Sequence, residues 1–256
     1  MNSNLRKVLI LVLSLMMLFC GGMYGYQSYQ KQQSHKIYEE AKAVASTEKP
    51  PLPPESEEEV VDPYAELFQD INLAALQEVN EDVIGWILIP DTPLSYPLMQ
   101  GSDNAYYLEH TWDRQYNSAG SIFLEQHSSP EFIDFNTIIY GHRMLNDSMF
   151  GSLRYYDQLS YWSEHPYVYI YTEAGSSRYE IFAVREASVT GETYRLNLRT
   201  LKSRQAFLDT CISESVIDTG IVPTITDRIL TLSTCTGRGH GTRWVIQAKR
   251  SPESSK

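Results

Sequence analysis

Stretches with the hydrophobic spacing of a helix alternate along the chain with stretches typical of β-strands, and one long apolar run precedes both. Apolar residues recur at helical spacing between residues 64 and 79, which predicts a helix there. Short runs rich in β-branched, aliphatic and aromatic residues, bounded by turn-forming residues, predict strands farther along. These strands cover residues 86–90, 121–124, 136–140, 167–172, 179–184, 229–235 and 243–248.

Two further helices interrupt the strands, at residues 148–159 and 201–213. A hairpin loop that contains Gly175 is predicted at residues 173–177, between two of the strands. Many short strands with a few inserted helices are typical of a closed sheet. We therefore expect a mainly β domain, built as a barrel with inserted helices.

The apolar run at the start of the chain, residues 8–26, is long enough to span a membrane. Arg6 and Lys7 precede it, and the next basic residue is Lys31. Positive charge on one side of a span favours the cytoplasmic side. This asymmetry predicts that residues 1–7 are cytoplasmic, that the run is a transmembrane signal-anchor, and that everything after it is extracellular.

A cleaved signal peptide and lipidation of Cys20 are the alternatives to a retained anchor. No small-residue cleavage site ends the apolar run, which favours the anchor. Residues 27–62 are polar, with a Pro-rich stretch followed by an acidic one, and are expected to form an extracellular stalk. Residues 63–256 then form one domain, long enough to bury a core without disulfides or a metal.

Charge narrows the possible partners. The chain of 256 residues has a formal net charge of −11 and a sequence pI near 5.0. Nucleic acids are polyanions, and the domains that bind them usually carry basic patches. We therefore expect no nucleic-acid partner.

Of the three cysteines, one stands out as reactive. Cys20 lies in the apolar run, and Cys211 lies on the apolar face of a predicted helix, where a cysteine usually behaves as a small buried hydrophobic residue. Cys235 ends a predicted strand in the exported part of the chain and has no obvious partner. A disulfide between Cys211 and Cys235 is the alternative. The nearby Arg238 and Arg243 favour the thiolate of Cys235 over the thiol.

A thiolate that carries out acyl transfer needs a base and a group that binds the oxyanion. If the last two predicted strands pair, Cys235 and Arg243 emerge at the same rim, and Arg243 offers a rigid fork of donors. His142 follows Gly141 at the end of another predicted strand and offers the base. The alternatives are ordinary surface roles for these residues, and a zinc pair of Cys235 with His240, for which no third ligand is near in sequence.

Several runs of the sequence resemble the class B sortases of Gram-positive bacteria. The matching runs are residues 83–87, 96–101, 104–108, 119–123, 136–142, 148–151, 231–235 and 243–246. The resemblance implies an eight-stranded sortase β-barrel with an N-terminal helical extension and a helix before the cysteine strand. It also implies a membrane-anchored cysteine transpeptidase that needs no cofactor and no metal.

The resemblance also implies a role for each matching residue. Cys235 attacks the carbonyl of a threonine in a sorting signal near the C-terminus of the substrate. His142 protonates the leaving amine and later takes a proton from the incoming amine, while Arg243 steadies the substrate backbone or the oxyanion. The implied substrate-binding residues are Asn104, Ser233 and Thr234.

The implied partners are surface proteins or pilins that carry a C-terminal sorting signal, and an amine acceptor from a peptidoglycan precursor or a pilin lysine. The enzyme would lie in the cell membrane through its N-terminal helix, with the catalytic domain on the extracellular face. Anchoring of surface proteins to peptidoglycan is the first expectation, and pilin polymerisation is its alternative. A cysteine peptidase that releases product to water and a tethered binding module without activity are the remaining alternatives.

Two departures from the family pattern concern the choice of substrate. The loop between Cys235 and Arg243 is short and glycine-rich, where related enzymes often carry a longer one. Thr236 follows the cysteine, where some relatives carry an acid.

Overall fold

Eight strands close into one barrel in the computed structural model, which describes residues 3–47, 62–235 and 241–252. Around the barrel the strands follow the order β1-β2-β3-β4-β7-β8-β6-β5. The strands are β1 (Val83–Leu88), β2 (Ser95–Met99), β3 (Ile122–Leu124), β4 (Asn136–Tyr140), β5 (Tyr167–Thr172), β6 (Gly175–Ser188), β7 (Ile229–Cys235) and β8 (Thr242–Arg250). The barrel confirms the predicted fold class.

Helices lie between the strands and ahead of them. The α-helices are α1 (Ser3–Ala45), α2 (Leu73–Val79), α3 (Leu159–Glu164) and α4 (Leu201–Ser213). Short 3₁₀ helices cover Ala65–Phe68, Tyr106–Leu108, Gly151–Asp157 and Glu192–Tyr194. α4 has the predicted limits, and the hydroxyl of Thr200 caps it by accepting a hydrogen bond from the N–H of Ser203.

The two faces of the sheet bury different clusters. Leu230, Leu232 and Ile246 belong to the main core, which fills the barrel. On the opposite face, Ile229 packs with residues of α4, including Cys211, in a second cluster. Neighbouring strand residues point to opposite faces, so β7 contributes to both clusters in alternation.

Cys211 is a free thiol buried in that second cluster. The alternative disulfide with Cys235 is therefore not formed. Burial raises the pKa of the Cys211 thiol to about 12, because the charged thiolate is disfavoured away from water. A cysteine in this state is a packing residue and a poor nucleophile.

The helix predicted over residues 64–79 is wrong as a single element. A 3₁₀ helix covers Ala65–Phe68, and α2 begins only after Asn72. Asn72 caps α2 by accepting a hydrogen bond from the N–H of Ala75 at 3.2 Å, while its own N–H donates to the Ala45 carbonyl at 2.8 Å. The hydrogen bond from Asn72 to the end of α1 therefore breaks the chain into two helices, where hydrophobic periodicity alone predicts one continuous helix.

The helix predicted over residues 148–159 is also wrong in type. The chain forms a 3₁₀ helix at Gly151–Asp157 and then the short α3. At Gly151, an added Cβ would lie 2.4 Å from the Met144 carbonyl oxygen. This close approach of two backbones takes precedence over helical periodicity.

The sequence analysis missed one strand and shortened another. β2 contains Pro97, which has no N–H and so weakens a strand signal. Its pairing with the short β3 involves only Leu98 and Met99, and the proline is therefore accommodated. β6 is 14 residues long, and only Glu173 and Ala174 separate it from β5, so the predicted hairpin loop is tighter than expected.

The helix α1 is 43 residues long and joins the apolar run to the barrel. By length and composition, the apolar first part of this helix could cross a membrane. Near its end, four side chains are buried in the main core: Ile37, Tyr38, Ala41 and Ala45. The sequence analysis assigns these residues to a polar stalk. It does so because the residues they pack against, such as Tyr96 and Trp112, lie far away in sequence and leave no local pattern. Most of the Pro-rich and acidic stretch lies outside the described residues, and the limits of anchor, stalk and domain stay predictions.

Candidate active site

The ends of three neighbouring strands meet at one rim of the barrel. β4 and β7 run parallel and pair Tyr140 with Ser233. His142 and Cys235 each lie two residues beyond that pair along the chain. β8 runs antiparallel to β7 and pairs Arg243 with Cys235. Parallel strands end at the same edge and an antiparallel neighbour begins there, so the fold brings the three residues predicted to be catalytic to one place.

The structure describes the backbone of Cys235 and not its side chain. Thr236, Arg238 and His240 lie outside the described residues, so Arg238 as an alternative to Arg243, and the zinc pair of Cys235 with His240, stay sequence-based alternatives. Within the described ranges, no group of three or more His, Cys, Asp or Glu side chains could hold a metal ion.

His142 is held from two sides. Its Nε2 lies 2.7 Å from the Leu108 carbonyl oxygen, and its own carbonyl accepts a hydrogen bond from the N–H of Phe150 at 2.9 Å. A carbonyl can only accept, so Nε2 carries the hydrogen in this bond. Gly141 is required for the tight exit from β4, because an added Cβ there would lie 2.8 Å from the Phe150 ring.

Arg243 and Tyr140 are neighbours on the site side of the barrel. The Nη1 of Arg243 donates to the Thr242 carbonyl at 3.0 Å. Burial raises the pKa of Tyr140, the nearby charge of Glu125 and the phenol of Tyr194 raise it further, and the guanidinium of Arg243 lowers it. The net shift is upward, so Tyr140 stays a neutral phenol between a buried carboxylate and the arginine.

Ser233 and Thr234, both predicted to bind substrate, lie on opposite faces of β7. Ser233 is buried, and its Oγ lies 2.8 Å from the hydroxyl of Tyr194. Thr234 pairs with Trp244, which packs against the main core. Its Oγ1 is buried and has no hydrogen-bond partner among the described residues. Only Ser233 therefore shares a surface with Tyr194, and the substrate roles of both residues stay predictions.

Asn104 is fixed by a carboxylate that the sequence analysis did not single out. Its Nδ2 donates to Glu125 Oε1 at 2.9 Å, and its Oδ1 accepts from the N–H of Gln126 at 2.8 Å. Glu125 is buried and also accepts from the N–H of His127 at 2.7 Å. Besides burial, the charge of Glu125 raises the pKa of Tyr140, and the charge of Arg243 lowers it. Asn104 is therefore connected through Glu125 to the rim where Arg243 lies.

The 3₁₀ helix Glu192–Tyr194 forms a wall beside these residues. Tyr194 stacks on Tyr140 with 6.4 Å between ring centroids and 13° between planes. The carbonyl oxygen of Thr193 accepts a hydrogen bond from Asn136 Nδ2 at 3.0 Å. The hydroxyl Oγ1 of Thr193 accepts a second one from Nη2 of the buried Arg185. The segment is therefore tied to β4, β6 and β7 at once.

Three of these groups could not be found from sequence: the Leu108 carbonyl, Glu125 and Tyr194. The bonds from His142 to Leu108 and from Ser233 to Tyr194 join residues 34 and 39 positions apart. Neither pair belongs to a periodic pattern, and one partner is a backbone carbonyl that any residue type supplies. The clustering of Glu125 with Asn104 depends on the β2–β3 packing, which also lies beyond local sequence signals.

Comparison with known proteins places this geometry in context. A family model described as the sortase domain matches residues 87–251. The chain is 36% identical over 236 residues to sortase B of Listeria monocytogenes, which covers 91% of each chain. It is 32% identical over 161 residues to sortase B of Staphylococcus aureus, or 63% of this chain and 66% of that one.

A solved structure gives the same picture. The sortase B–substrate complex of Staphylococcus aureus superposes with a TM-score of 0.74 at 26% identity, and the match covers 88% of this chain and 100% of that one. The similarity therefore includes the helices as well as the barrel.

Proposed function

Because the chain belongs to the sortase family, in its class B branch, we propose that it is a membrane-anchored transpeptidase that cleaves a C-terminal sorting signal after threonine and joins surface proteins to peptidoglycan. Members of the family are cysteine transpeptidases, and this chain is an enzyme of that type. The observation that carries the detailed proposal is the meeting of His142, Cys235 and Arg243 at one rim.

In the first half of the reaction, the thiolate of Cys235 attacks the carbonyl carbon of the threonine. The electron pair of the carbonyl moves to oxygen, and Arg243 stabilises the resulting oxyanion with its guanidinium donors. The carbon–nitrogen bond then breaks, and His142 gives its proton to the departing amine. The product is a thioester between Cys235 and the new C-terminus of the substrate.

In the second half, an amine attacks the thioester and His142 takes the proton that the amine loses. The thiolate leaves and the free enzyme is restored. Because Nε2 of His142 is engaged with the Leu108 carbonyl, we assign the exchanged proton to Nδ1. A carbonyl that accepts from Nε2 also favours the protonated ring that the first half requires.

The direct pairing of Cys235 with Arg243 supports the choice of nucleophile. A neighbouring cation favours thiolate over thiol, and the guanidinium stays charged throughout the catalytic pH range. Cys211 lacks this setting, since burial raises the pKa of its thiol to about 12.

Substrate binding is proposed along the surface between Asn104 and Tyr194. Tyr140 lies between them, stacked on Tyr194 and near Glu125. Aromatic rings and fixed polar groups of this kind suit an extended peptide, which presents apolar side chains and backbone hydrogen-bonding groups in alternation. The substrate complex of the Staphylococcus aureus relative supports a groove in this family.

Attachment to the membrane is proposed through α1. Its apolar half is exposed in the structure and long enough to span a bilayer. The basic residues before it favour a cytoplasmic N-terminus, which would put the barrel on the extracellular face.

The test is to trap the acyl-enzyme. The full chain in detergent is incubated with a library of sorting-signal peptides and analysed by intact mass. The expected result is an adduct on Cys235 that lacks the C-terminal fragment of the peptide. Cys235→Ala should give no adduct, whereas the matched Cys211→Ala should give the wild-type adduct. A folded wild-type protein that forms no adduct with any peptide would sink the proposal in favour of a binding module.

Adding an amine then separates the alternatives. A peptidoglycan precursor with a free amine and a pilin with a reactive lysine are supplied in parallel, and the products are identified by mass. Joining to the precursor supports cell-wall attachment, and a ladder of covalent pilin multimers supports pilin polymerisation. Hydrolysis that no amine changes would identify a peptidase.

A further inference from the structure

The C-terminal part of α1 is hydrogen-bonded to one segment of the barrel surface, residues 107–121. The hydroxyl of Tyr38 donates to the Gly120 carbonyl at 2.5 Å. The indole Nε1 of Trp112 donates to the carbonyl of Ile37 at 3.0 Å. A third bond, from Asn117 to the carbonyl of Gln30, measures 3.3 Å. The helix therefore holds the 107–121 segment at several points along its length.

The same segment supports His142. The Leu108 carbonyl oxygen lies 2.7 Å from Nε2 of the ring. Gly120, with φ of +56°, packs so closely that an added Cβ would lie 2.6 Å from that oxygen. The next N–H, of Ser121, donates to the Tyr107 carbonyl at 2.8 Å. The carbonyl that orients His142 is thus set by the position of Gly120, which Tyr38 holds.

Tyr38 also reaches the other support of His142. Its ring meets Tyr96 edge to face, with 5.1 Å between centroids. The hydroxyl of Tyr96 accepts from the N–H of Met149 at 3.1 Å, and the next residue, Phe150, donates to the carbonyl of His142. Tyr38 on α1 is therefore connected to both groups that hold His142, the Leu108 carbonyl at its ring and the Phe150 N–H at its backbone.

We propose that α1 is a positioning element for the acid–base histidine: Tyr38 fixes Gly120 and Tyr96, and through them the Leu108 carbonyl and the backbone that hold the His142 ring. Tyr38 touches neither substrate nor reacting atoms and is a positioning residue. The inference rests on the proposed function, since it takes His142 as the proton donor. It goes further by linking the packing of α1 on the barrel to the rate of catalysis.

The geometry explains why a single hydroxyl matters. A ring displaced by a fraction of an ångström loses alignment for proton transfer, and small misplacements cost large factors in rate. A weakened bond from Nε2 to the Leu108 carbonyl also disfavours the protonated ring. Loss of the Tyr38 hydroxyl should therefore change the pH dependence as well as the rate.

The test compares two identical chemical changes on the same helix. Tyr38→Phe removes the hydroxyl bonded to Gly120 and keeps the ring against Tyr96. Tyr29→Phe makes the same change at an exposed position of α1 and serves as the control. Both are made in the full chain, and acyl transfer from a peptide that labels the wild type is measured across pH.

We expect Tyr38→Phe to lower kcat about tenfold with little change in KM, and to move the pH optimum to lower pH. Tyr29→Phe should match the wild type in both. A Tyr38→Phe enzyme with a lower Tm but an unchanged pH profile and kcat would overturn the proposal, because it would show a structural role only.

A readout without activity keeps the two proposals separable. In full chain labelled with ¹⁵N-histidine, the His142 ring is assigned by its absence in His142→Gln. The wild type should show a slowly exchanging Nε2–H, and Tyr38→Phe should speed its exchange with water. Equal exchange in both proteins overturns the positioning role. A wild type that forms no acyl-enzyme defeats the proposed function instead, and the exchange measurement alone then decides the positioning role.

Discussion

Cys235, the last residue of β7, pairs directly with Arg243 near the start of β8. Residues directly opposite in an antiparallel pair lie within about 5.5 Å at Cα. The register of this one pair therefore brings the backbone of a cationic residue next to that of the proposed nucleophile.

That register predicts a strict requirement for arginine. Arg243→Lys keeps the positive charge but replaces a planar fork of donors with a single flexible ammonium group. We expect acyl-enzyme formation to slow by roughly 10- to 100-fold, measured by single-turnover mass spectrometry. Arg250→Lys, at the far end of the same strand, is the matched control and should leave the rate unchanged. Equal rates in Arg243→Lys and the wild type would remove Arg243 from the site.

A second prediction concerns the buried cysteine. Burial raises the pKa of Cys211 to about 12, so its thiol should resist alkylation at about pH 8 in the folded protein, since the thiolate is the reactive form. Peptide mapping after alkylation should show modification at Cys235 and none at Cys211. After denaturation Cys211 should react fully. Rapid native labelling of Cys211 would contradict its burial.

The same shift predicts a dependence of stability on pH. The pKa of Cys211 is raised in the folded state, so the unfolded chain releases this proton at lower pH than the folded one. The stability contribution is complete below the unfolded pKa and is lost as pH rises towards about 12. We expect Tm to fall with alkaline pH less steeply in Cys211→Ala than in the wild type, as measured by thermal denaturation. Parallel curves for the two proteins would contradict the shift.

Sequence patterns locate the strands that hold the proposed catalytic residues better than the elements around them. β4 and β7 have the predicted limits, because their β-branched runs are buried and end at clear turn signals. β2 was missed because Pro97 breaks the pattern. The helix expected over residues 64–79 is divided because Asn72 bonds to the end of α1, a contact that no local pattern contains.

The site follows the same division. His142, Cys235 and Arg243 stand at strand ends, and sequence reasoning can find such positions once strands are located. The Leu108 carbonyl and Tyr194 come from segments without periodicity. Their roles depend on tertiary packing, through bonds to residues more than 30 positions away.

The wall formed by Tyr194 leads to a prediction about coupling. Tyr194→Phe and Ser233→Ala each break the 2.8 Å bond between the two hydroxyls, and the double variant loses nothing further from that bond. A double-mutant cycle on kcat/KM should therefore show a coupling energy of about 1 kcal/mol. Both single variants should affect KM more than kcat, because the pair shapes the groove. Additive effects would show that the hydroxyls act independently.

The last prediction separates the two halves of α1. A fragment of residues 27–256 keeps the buried end of the helix, whereas a fragment of residues 63–256 removes it. Ile37, Tyr38, Ala41 and Ala45 leave the core in the shorter fragment, a loss of burial worth on the order of 3–5 kcal/mol.

We therefore expect the longer fragment to match the full chain in Tm, and the shorter one to melt at least about 5 °C lower. The indole of Trp112, bonded to the Ile37 carbonyl at 3.0 Å, should become exposed in the shorter fragment. Since a tryptophan emits at longer wavelength in water, its fluorescence should shift to the red there and not in the longer fragment. Equal Tm and equal emission in both fragments would mean that the end of α1 does not pack on the barrel in solution.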